Sequence, residues 1–395
     1  MELPAASKIF EGVFAKALVA INKPAGISSA QVVREVKNAF TKSAYFRPWL
    51  EEEQQRRMKE GIRQNKRRNS THRKVEIKVG HGGTLDPGAT GCLVIGIGNG
   101  TKQLTTFIES RKSYDTVVLF GAATDSYDKE GKVLAKAPFD HLTKAKVEKA
   151  LEQFRGDIKQ QPPIFSALKM DGAKLYEYAR SGKEPPREII ARPAKVYHLE
   201  MMEWLEPGTH GHTWPTTQAS DEEIAAGHKL LQLPKSAKDE PQLDEEMGIK
   251  RKRSMSPELV KSNKEQKLTA NSSDTNTAKQ INTTLEKPED PPEQPPATRL
   301  TMHVGSGFYV RSLCHDLGKA VDSLALMASL VRTNQGPFTL GENVLAYEDL
   351  TAGEKVWQPK IQAALEKWSQ RLASARSSDG DTKNAPEILK ATETA

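Results

Sequence analysis

The residues best suited to chemistry lie in a glycine-rich stretch, GHGGTLDPGATG, which spans residues 80–91. It contains five glycines, one proline and a single acidic side chain, Asp86. Glycine reaches positive φ at little cost and proline fixes φ, so this composition predicts a shaped loop, and loops often carry function. A carboxylate held in such a loop can act as a nucleophile or as an electrostatic partner for a reacting group. The alternative is that Asp86 only bonds its own turn.

A second candidate lies in GFYVRS, residues 307–312. We expect these residues to be extended, and a strand sends alternate side chains to opposite faces. Tyr309 and Arg311 should then share one face and form a stacking platform with a charge. The alternative is a surface tyrosine beside a solvated arginine. Another aromatic residue, Tyr114, opens the predicted strand YDTVVLF.

Other kinds of site find no support. The chain has no G-x-x-x-x-G-K-[ST] motif, and GIGNGTK, residues 96–102, has the wrong spacing for either nucleotide fingerprint. The acids around Asp128 lie three apart and Gly131 is misplaced for a calcium loop. His210 and His212 are two potential ligands without further partners, which we interpret as solvated. The sequence predicts neither a metal nor a cofactor.

The composition indicates a partner with many negative charges. The chain has 395 residues, a net charge of +7 and a pI close to 9.1, which favours RNA or DNA over a membrane. Its two cysteines, Cys92 and Cys314, are too few for a disulfide framework or a multi-cysteine zinc site and indicate a reducing compartment. No apolar run approaches a membrane span, and the first residues lack a signal-peptide core. We expect a soluble intracellular protein.

Hydrophobic patterning divides the chain into ordered blocks and stretches that interrupt them. The basic stretch before the glycine-rich loop has no apolar stripe, which is typical of a solvated helix or a disordered arm. The long stretch before GFYVRS holds ten of the 23 prolines and no aromatic residue after Trp214, which is typical of disorder. The predicted segments are folded blocks at 1–44, 75–205 and 299–370, a basic insertion at 45–74, a disordered low-complexity insertion at 206–298 and a polar tail at 371–395.

The periodicity of apolar residues predicts the elements that must position these side chains. Strands are expected at 17–21, 92–97, 114–120 and 300–304. Helices are expected at 28–40, 143–154 and 169–180. Leu313, Leu317 and Val321 recur at helical spacing and predict a helix directly after GFYVRS.

Taken together, the motifs resemble the TruB family of RNA pseudouridine synthases. The matching stretches follow the family's order: INKPAGISS, GHGGTLDPGATGCLVIGIGNGTKQL, RKSYDTVVLFGAATDSYDKEGKV, QQPPIFSALKMDGAKLYEYARSGKE, GFYVRSLCHDLG and LVRTNQGPFTL. The resemblance implies an α+β pseudouridine synthase fold, with a central mixed, largely antiparallel sheet flanked by helices. The two long insertions resemble the eukaryotic branch that modifies uridine 55 of tRNA. No module resembling the family's C-terminal PUA domain follows Trp368, which counts against an enzyme guided by small nucleolar RNA.

The resemblance also implies catalytic roles. Asp86 corresponds to the family's catalytic aspartate and Arg311 to the arginine that pairs with it. Such a cation keeps a buried carboxylate ionised and aimed, since unpaired burial would raise its pKa. Asp128 would orient Arg311. Tyr114 would stack on the target base and is the candidate base for the sugar proton.

The remaining matched positions concern substrate binding. A uridine inside a folded T loop must be flipped out, and a flipped base needs aromatic and apolar walls. The residues assigned to this pocket are His81, Tyr309 and Leu330. For His81, a loop histidine bonded to backbone remains the alternative. Phosphate contacts position RNA without reading its sequence, and the candidates for them are Lys23, Lys102 and Arg332.

The expected function is isomerisation of uridine to pseudouridine in tRNA, at position 55 of the T loop, without a cofactor. The alternatives are a synthase directed to mRNA or guided by small nucleolar RNA, and an RNA-binding factor without catalysis. The expected partner is the T arm of tRNA, with mRNA left open. No membrane and no obligate protein partner are expected, which favours a monomer. A basic run, KRKR at residues 250–253, predicts the nucleus, with the mitochondrion and the cytoplasm left open.

Overall fold

The computed structural model describes residues 17–63, 75–224 and 294–378, which fall within one compact unit. The predictions made for residues 1–16, 64–74, 225–293 and 379–395 lie outside these ranges. No helix in the described ranges has the length and apolar character needed to cross a membrane.

The described residues form an α+β structure, as expected. The fourteen strands described are β1 Leu18–Lys23, β2 Val79–His81, β3 Thr90–Ile97, β4 Lys112–Phe120, β5 Ala122–Thr124, β6 Val133–Lys136, β7 Gly156–Gln160, β8 Lys169–Met170, β9 Ala173–Lys174, β10 Arg192–Leu205, β11 Ala297–Val304, β12 Ala325–Gln335, β13 Phe338–Thr339 and β14 Leu345–Ala346. The α-helices described are α1 Ser29–Lys42, α2 Arg47–Arg63, α3 Leu104–Glu109, α4 Lys144–Leu151, α5 Leu175–Arg180, α6 Val310–Ala320, α7 Tyr347–Thr351 and α8 Glu354–Ser378.

A ten-stranded sheet organises the described part of the chain. Its strand order is β14-β1-β3-β12-β4-β11-β10-β7, with β2 paired to β3 and β13 paired to β12. The β1–β14 and β12–β3 pairs are parallel and the remaining pairs of this sheet are antiparallel. The expected mixed, largely antiparallel sheet is therefore confirmed. This order places β12, which carries the first half of the last sequence motif, between the strand after the glycine-rich loop and the strand that carries Tyr114.

The sheet is covered on both faces where β1 and β3 lie. Alternate residues of β1 belong to different clusters: Val19 packs into the main core, whereas Leu18 packs with Trp368 on the other side. Strands buried on both faces read as continuous apolar runs, which explains why these two strands were predictable. Helix α1 covers the main core with Val36 and Phe40, and the side chain of Ser28 caps it by accepting a hydrogen bond from the backbone of Gln31.

Helix α6 lies in the same core and carries the second sequence motif. The predicted stripe of Leu313, Leu317 and Val321 is buried, so the helix prediction is confirmed. Gly318 allows a close approach of α6 to the chain that follows, because a Cβ at that position would lie 2.3 Å from the backbone nitrogen of Ala325.

Two predicted helices are shorter than expected. The segment at 143–154 forms α4, capped by the Thr143 side chain, and then tightens into a short 3₁₀ turn at Glu152–Phe154. The segment at 169–180 begins as the small hairpin of β8 and β9 and becomes helical only at Leu175. Here Asp171 at φ 49° and Gly172 at φ 88° turn the chain, and residues in that region end a right-handed helix.

The insertions differ from expectation where they are described. Within the basic insertion, Arg47–Arg63 forms helix α2, and its first turn packs on the core through Trp49 and Leu50. The choice between a solvated helix and a disordered arm for the whole basic stretch stays a prediction. The disorder predicted across 206–298 is wrong at both ends. Trp214 donates a 2.7 Å hydrogen bond from Nε1 to the carbonyl of Phe120 and packs edge-on against Phe139, and β11 already begins at Ala297. His210 and His212, interpreted as solvated, are half-buried.

Candidate active site

A buried lysine stabilises the glycine-rich loop by donating hydrogen bonds to its backbone. Lys23, at the end of β1, has no exposed surface, and its ammonium donates to the carbonyls of Pro24, Pro87 and Ala89 at 2.7, 3.0 and 2.6 Å. Burial lowers the pKa of Lys23 to about 8, and the nearby carboxylate of Asp86 opposes this shift. The ammonium therefore satisfies two carbonyls directly after Asp86 that the loop cannot pair internally.

A serine of α1 also binds this loop, and its hydroxyl pairs with both backbone groups of one loop residue. The hydroxyl of Ser29 accepts a hydrogen bond from the backbone nitrogen of Leu85 at 2.8 Å and donates to its carbonyl at 2.9 Å. The backbone nitrogen of Gly26 donates to the carbonyl of Pro87 at 2.9 Å. The INKPAGISS motif thus serves to hold the residues on each side of Asp86.

Strand β12 holds the start of the loop from the opposite side. Arg332 donates from Nε to the carbonyl of Cys92 at 2.6 Å and from Nη2 to that of Gly83 at 3.2 Å, and Gln335 donates to the carbonyl of Gly82 at 2.6 Å. The strands approach closely here: Gly91 has φ +102°, and a Cβ on it would lie 2.3 Å from the carbonyl oxygen of Arg332. Only glycine fits at this position.

These contacts correct two predicted RNA contacts. Lys23 is 0% exposed and Arg332 1% exposed, so neither side chain can reach a phosphate on the surface. Both instead bind backbone carbonyls of the loop or of the strand beside it. Lys102 is exposed at the end of a short 3₁₀ turn, and its proposed phosphate contact stays a prediction.

The centre of the site is a forked ion pair between Asp86 and Arg311. The guanidinium donates from Nε to Oδ2 of Asp86 at 2.9 Å and from Nη2 to Oδ1 at 3.2 Å. The Arg311 side chain is 7% exposed and that of Asp86 is 31% exposed. The carboxylate is thus fixed from inside the protein while one side stays open to a ligand, which is the arrangement expected for a nucleophile or an electrostatic partner.

Two further bonds fix the guanidinium itself. Nη1 of Arg311 donates to the carbonyl of Ser126 at 2.9 Å, and Nη2 donates to that of Phe165 at 2.8 Å. The backbone around it differs from the prediction: Tyr309 is the N-cap residue of α6 and Arg311 the second residue of that helix. The expectation of an extended segment with both side chains on one face is wrong, because the helix begins at Val310, three residues earlier than the pattern indicated.

Asp128 lies against the same guanidinium, as the resemblance implied. Its Oδ2 is 3.7 Å from Nε of Arg311, and its Oδ1 accepts a 2.6 Å hydrogen bond from the hydroxyl of Ser126 and a 3.1 Å bond from the backbone nitrogen of Glu130. Burial raises the pKa of Asp128, while Arg311 and Ser126 oppose the shift by favouring the carboxylate. Ser126 therefore holds both members of this pair, one through its hydroxyl and one through its carbonyl.

The sheet register brings Tyr114 and Leu330, two of the residues assigned to substrate binding, to one region. Tyr114 on β4 lies opposite Arg332 on β12, and Leu330 lies two residues before that arginine, so all three side chains share one face of the sheet. Tyr114 is 8% exposed and Leu330 6% exposed. Because Arg332 also bonds the glycine-rich loop, these two apolar walls lie beside the loop that carries Asp86.

His81 belongs to the support of the loop. It lies at the end of β2, is half-buried, and its Nδ1 accepts a hydrogen bond from the backbone nitrogen of Gly83 at 3.4 Å. Burial and the charge of Arg332 lower its pKa, which keeps the ring neutral near pH 7. The alternative of a loop histidine bonded to backbone describes this contact, while its role toward a flipped base stays a prediction.

Several supporting residues were not identified from the sequence. Ser29, Ser126 and Gln335 act through buried hydrogen bonds to backbone or to a carboxylate, and residue type alone does not distinguish them from surface polar residues. Gln160 also lies here, with its side chain bonded to the backbone of Tyr309. The only signal for these residues was their position inside the matched motifs. The described ranges contain no group of three or more His, Cys, Asp or Glu side chains placed to hold a metal ion.

Comparison with known proteins places this site in a family. The N-terminal domain of the TruB family of pseudouridylate synthases matches residues 67–217. The tRNA pseudouridine synthase 4 of Schizosaccharomyces pombe is 37% identical over 88% of this chain and 85% of its own length. That of Saccharomyces cerevisiae is 35% identical over 88% of this chain and 84% of its own.

The chain belongs to the TruB family. Among solved structures, the Cbf5 complex with Nop10 and Gar1 is similar at a TM-score of 0.46 and 17% identity, covering 90% of this chain and 61% of that one. The family match includes Asp86, Tyr114 and Asp128, whereas Arg311 and Leu330 lie beyond residue 217 and join the site through the fold. The TruB match therefore contains the glycine-rich loop with Asp86, and the chain beyond residue 217 supplies the arginine that pairs with it.

Proposed function

We propose that this protein isomerises uridine to pseudouridine in tRNA, at position 55 in the loop of the T arm. The observation that carries the proposal is the forked pair of Asp86 and Arg311 in a chain of the TruB family, with the carboxylate partly exposed. The relatives named above as tRNA pseudouridine synthases support the choice of tRNA.

The reaction rearranges one nucleoside without any external reactant. The bond between N1 of uracil and C1′ of ribose breaks, the base turns, and a bond forms between C5 and C1′. C5 loses its proton and N1 gains one, so atoms and electrons balance. The carboxylate of Asp86 is placed to attack, or to stabilise by its charge, the sugar or base centre that the departing bond leaves electron-poor.

The residues around Asp86 would divide the remaining work. Arg311 keeps the carboxylate ionised and fixes both its oxygens, and Asp128 holds the guanidinium in turn. Tyr114 would stack on the flipped base, take a proton from the sugar and return it within the same cycle, so that the net change stays the proton moved from C5 to N1. Tyr309 and Leu330 would close the pocket. Extrusion of the base from a folded loop costs stacking energy, which such apolar and aromatic walls offset.

RNA binding would be mainly electrostatic. The chain carries a net charge of +7, and Lys102 is an exposed cation close in sequence to the glycine-rich loop. We propose that the T arm of tRNA is the principal ligand, that mRNA stem-loops with the same shape are secondary substrates, and that the protein acts as a monomer.

The proposal is tested by incubating the purified full-length protein with an unmodified tRNA transcript, without cofactor, and mapping pseudouridine at each nucleotide. We expect pseudouridine at position 55 alone. The matched control is a transcript with cytidine at that position, in which no pseudouridine should form. Modification at other positions only, or none with a protein that binds the transcript, would contradict the proposal.

A further inference from the structure

A buried glutamine joins the end of β7 to the start of helix α6. Gln160 is 3% exposed. Its Nε2 donates to the carbonyl of Tyr309 at 2.8 Å, and its Oε1 accepts from the backbone nitrogen of Tyr309 at 2.8 Å. One amide thus satisfies both backbone groups of a residue 149 positions away, as a neighbouring strand would.

The residue that Gln160 bonds, Tyr309, starts helix α6, which carries Arg311. Tyr309 is the N-cap of α6, with extended backbone at φ −115° and ψ 108°, and its own side chain makes no capping bond. Its carbonyl also accepts the first helical hydrogen bond, from Leu313 at 3.2 Å. The Gln160 amide therefore fixes the angle at which the chain enters the helix, and Arg311 follows two residues later.

The residues after Gln160 bind the same helical turn. The hydroxyl of Ser312 donates to the carbonyl of Gln161 at 2.8 Å, and Nη2 of Arg311 donates to the carbonyl of Phe165 at 2.8 Å. The segment from residue 160 to residue 165 thus bonds three residues at the start of α6: Tyr309, Arg311 and Ser312. Of these bonds, only the Gln160 pair acts on the backbone of the turn and uses a side chain that substitution can remove.

We propose that Gln160 is a positioning residue for the reaction, because it sets the angle at which α6 presents Arg311 to Asp86 and Tyr309 to the pocket. This inference rests on the proposed function. The fork to Asp86 has bonds of 2.9 and 3.2 Å, and a displacement of about 1 Å at the helix start would lengthen at least one of them beyond hydrogen-bond range.

The chemistry of the amide makes the role specific. A side chain at this position must donate to a carbonyl and accept from an N–H at once, which an amide or a protonated carboxyl does and a carboxylate does not. Gln160→Met keeps the length of the side chain and removes both bonds. Gln160→Glu restores both bonds only when the new carboxyl is protonated, a form that burial favours.

The experiment compares wild type, Gln160→Met, Gln160→Glu and the control Gln153→Met on a tRNA transcript. Gln153 is exposed and donates only to the carbonyl of Ala150 within its own turn. We expect Gln160→Met to lower kcat at least about tenfold while KM stays within about threefold, because positioning acts on the chemical step more than on phosphate contacts. Relative to wild type at each pH, Gln160→Glu should regain activity from about pH 8.5 to about pH 6. The control should match wild type.

A second measurement does not depend on activity. Amide hydrogen exchange is measured without RNA in wild type, Gln160→Met and the control Gln153→Met. The peptide that contains the first turn of α6 should exchange faster in Gln160→Met than in the other two proteins. Unchanged exchange, an unchanged kcat in Gln160→Met, or a Gln160→Glu to wild-type ratio that is flat with pH would each overturn the inference. A wild-type protein that forms no pseudouridine would instead contradict the proposed function, and the exchange result would still decide the role of Gln160 in holding the helix.

Discussion

Replacing Arg311 by lysine should cripple catalysis while preserving the charge. The guanidinium makes two bonds to Asp86 and one each to the carbonyls of Ser126 and Phe165, all between 2.8 and 3.2 Å. A lysine ammonium is a compact point charge and cannot span these positions as a planar fork does. If two charge-assisted bonds are lost at about 1.5 kcal/mol each, the loss is about 3 kcal/mol. That corresponds to a decrease of about 100-fold in the rate of the chemical step.

The assay for Arg311→Lys is the single-turnover rate of pseudouridine formation with saturating enzyme, which separates chemistry from binding. Arg299→Lys is the matched control, because Arg299 lies 3.7 Å from Glu203 in an exposed pair, and exposed pairs contribute little. We expect the control to stay within about twofold of wild type. A single-turnover rate for Arg311→Lys within about threefold of wild type would refute the view that the fork aims Asp86.

Three other predictions concern the support of the loop and the location of the protein. Because burial lowers the pKa of Lys23 to about 8, the unfolded state holds this proton more tightly, and Lys23 should contribute about 2 kcal/mol to a rise in the free energy of unfolding from about pH 7 to about pH 9.5. Denaturant unfolding should show a smaller rise in Lys23→Met than in wild type, and an equal rise would be contrary evidence. Gly91→Ala should lower the free energy of unfolding by more than about 2 kcal/mol, since the new Cβ would meet the Arg332 carbonyl oxygen at 2.3 Å; a melting temperature equal to that of wild type would disprove the close approach. We also propose that KRKR at residues 250–253 directs nuclear import, so alanine at these four positions should move a fluorescent fusion out of the nucleus, and an unchanged nuclear signal would remove that role.

The sequence predicted elements where apolar periodicity was strong and failed where backbone conformation depended on distant contacts. Strands β1 and β3 and helix α1 lie close to their expected bounds, because burial on one or both faces dictates their residues. The start of α6 was misplaced, since glycines and aromatic residues before it resembled a strand end. Its N-cap, Tyr309, is fixed by Gln160, a contact that no local pattern reveals.

The candidate site was predicted best at its charged centre and least well in its support. Asp86 was evident as the one acid in a glycine-rich loop, and its pairing with Arg311 followed from the family resemblance. Lys23 and Arg332 were misassigned to RNA because lysine and arginine usually lie on the surface. A loop rich in glycine exposes many carbonyls, and here buried cations satisfy them. The sequence does not show which cations satisfy these carbonyls, because that depends on how the fold places the strands of Lys23 and Arg332 against the loop.

The central claim is that the carboxylate of Asp86 performs the isomerisation of a uridine in the T loop of tRNA. The most direct measurement maps pseudouridine in one tRNA transcript after incubation with wild type and with Asp86→Asn, and measures the Kd of both proteins for that transcript. We predict pseudouridine at position 55 with wild type and none with Asp86→Asn, with Kd values that agree within about threefold, because phosphate contacts dominate affinity. Pseudouridine formation by Asp86→Asn at a substantial fraction of the wild-type rate would contradict the assignment of the carboxylate.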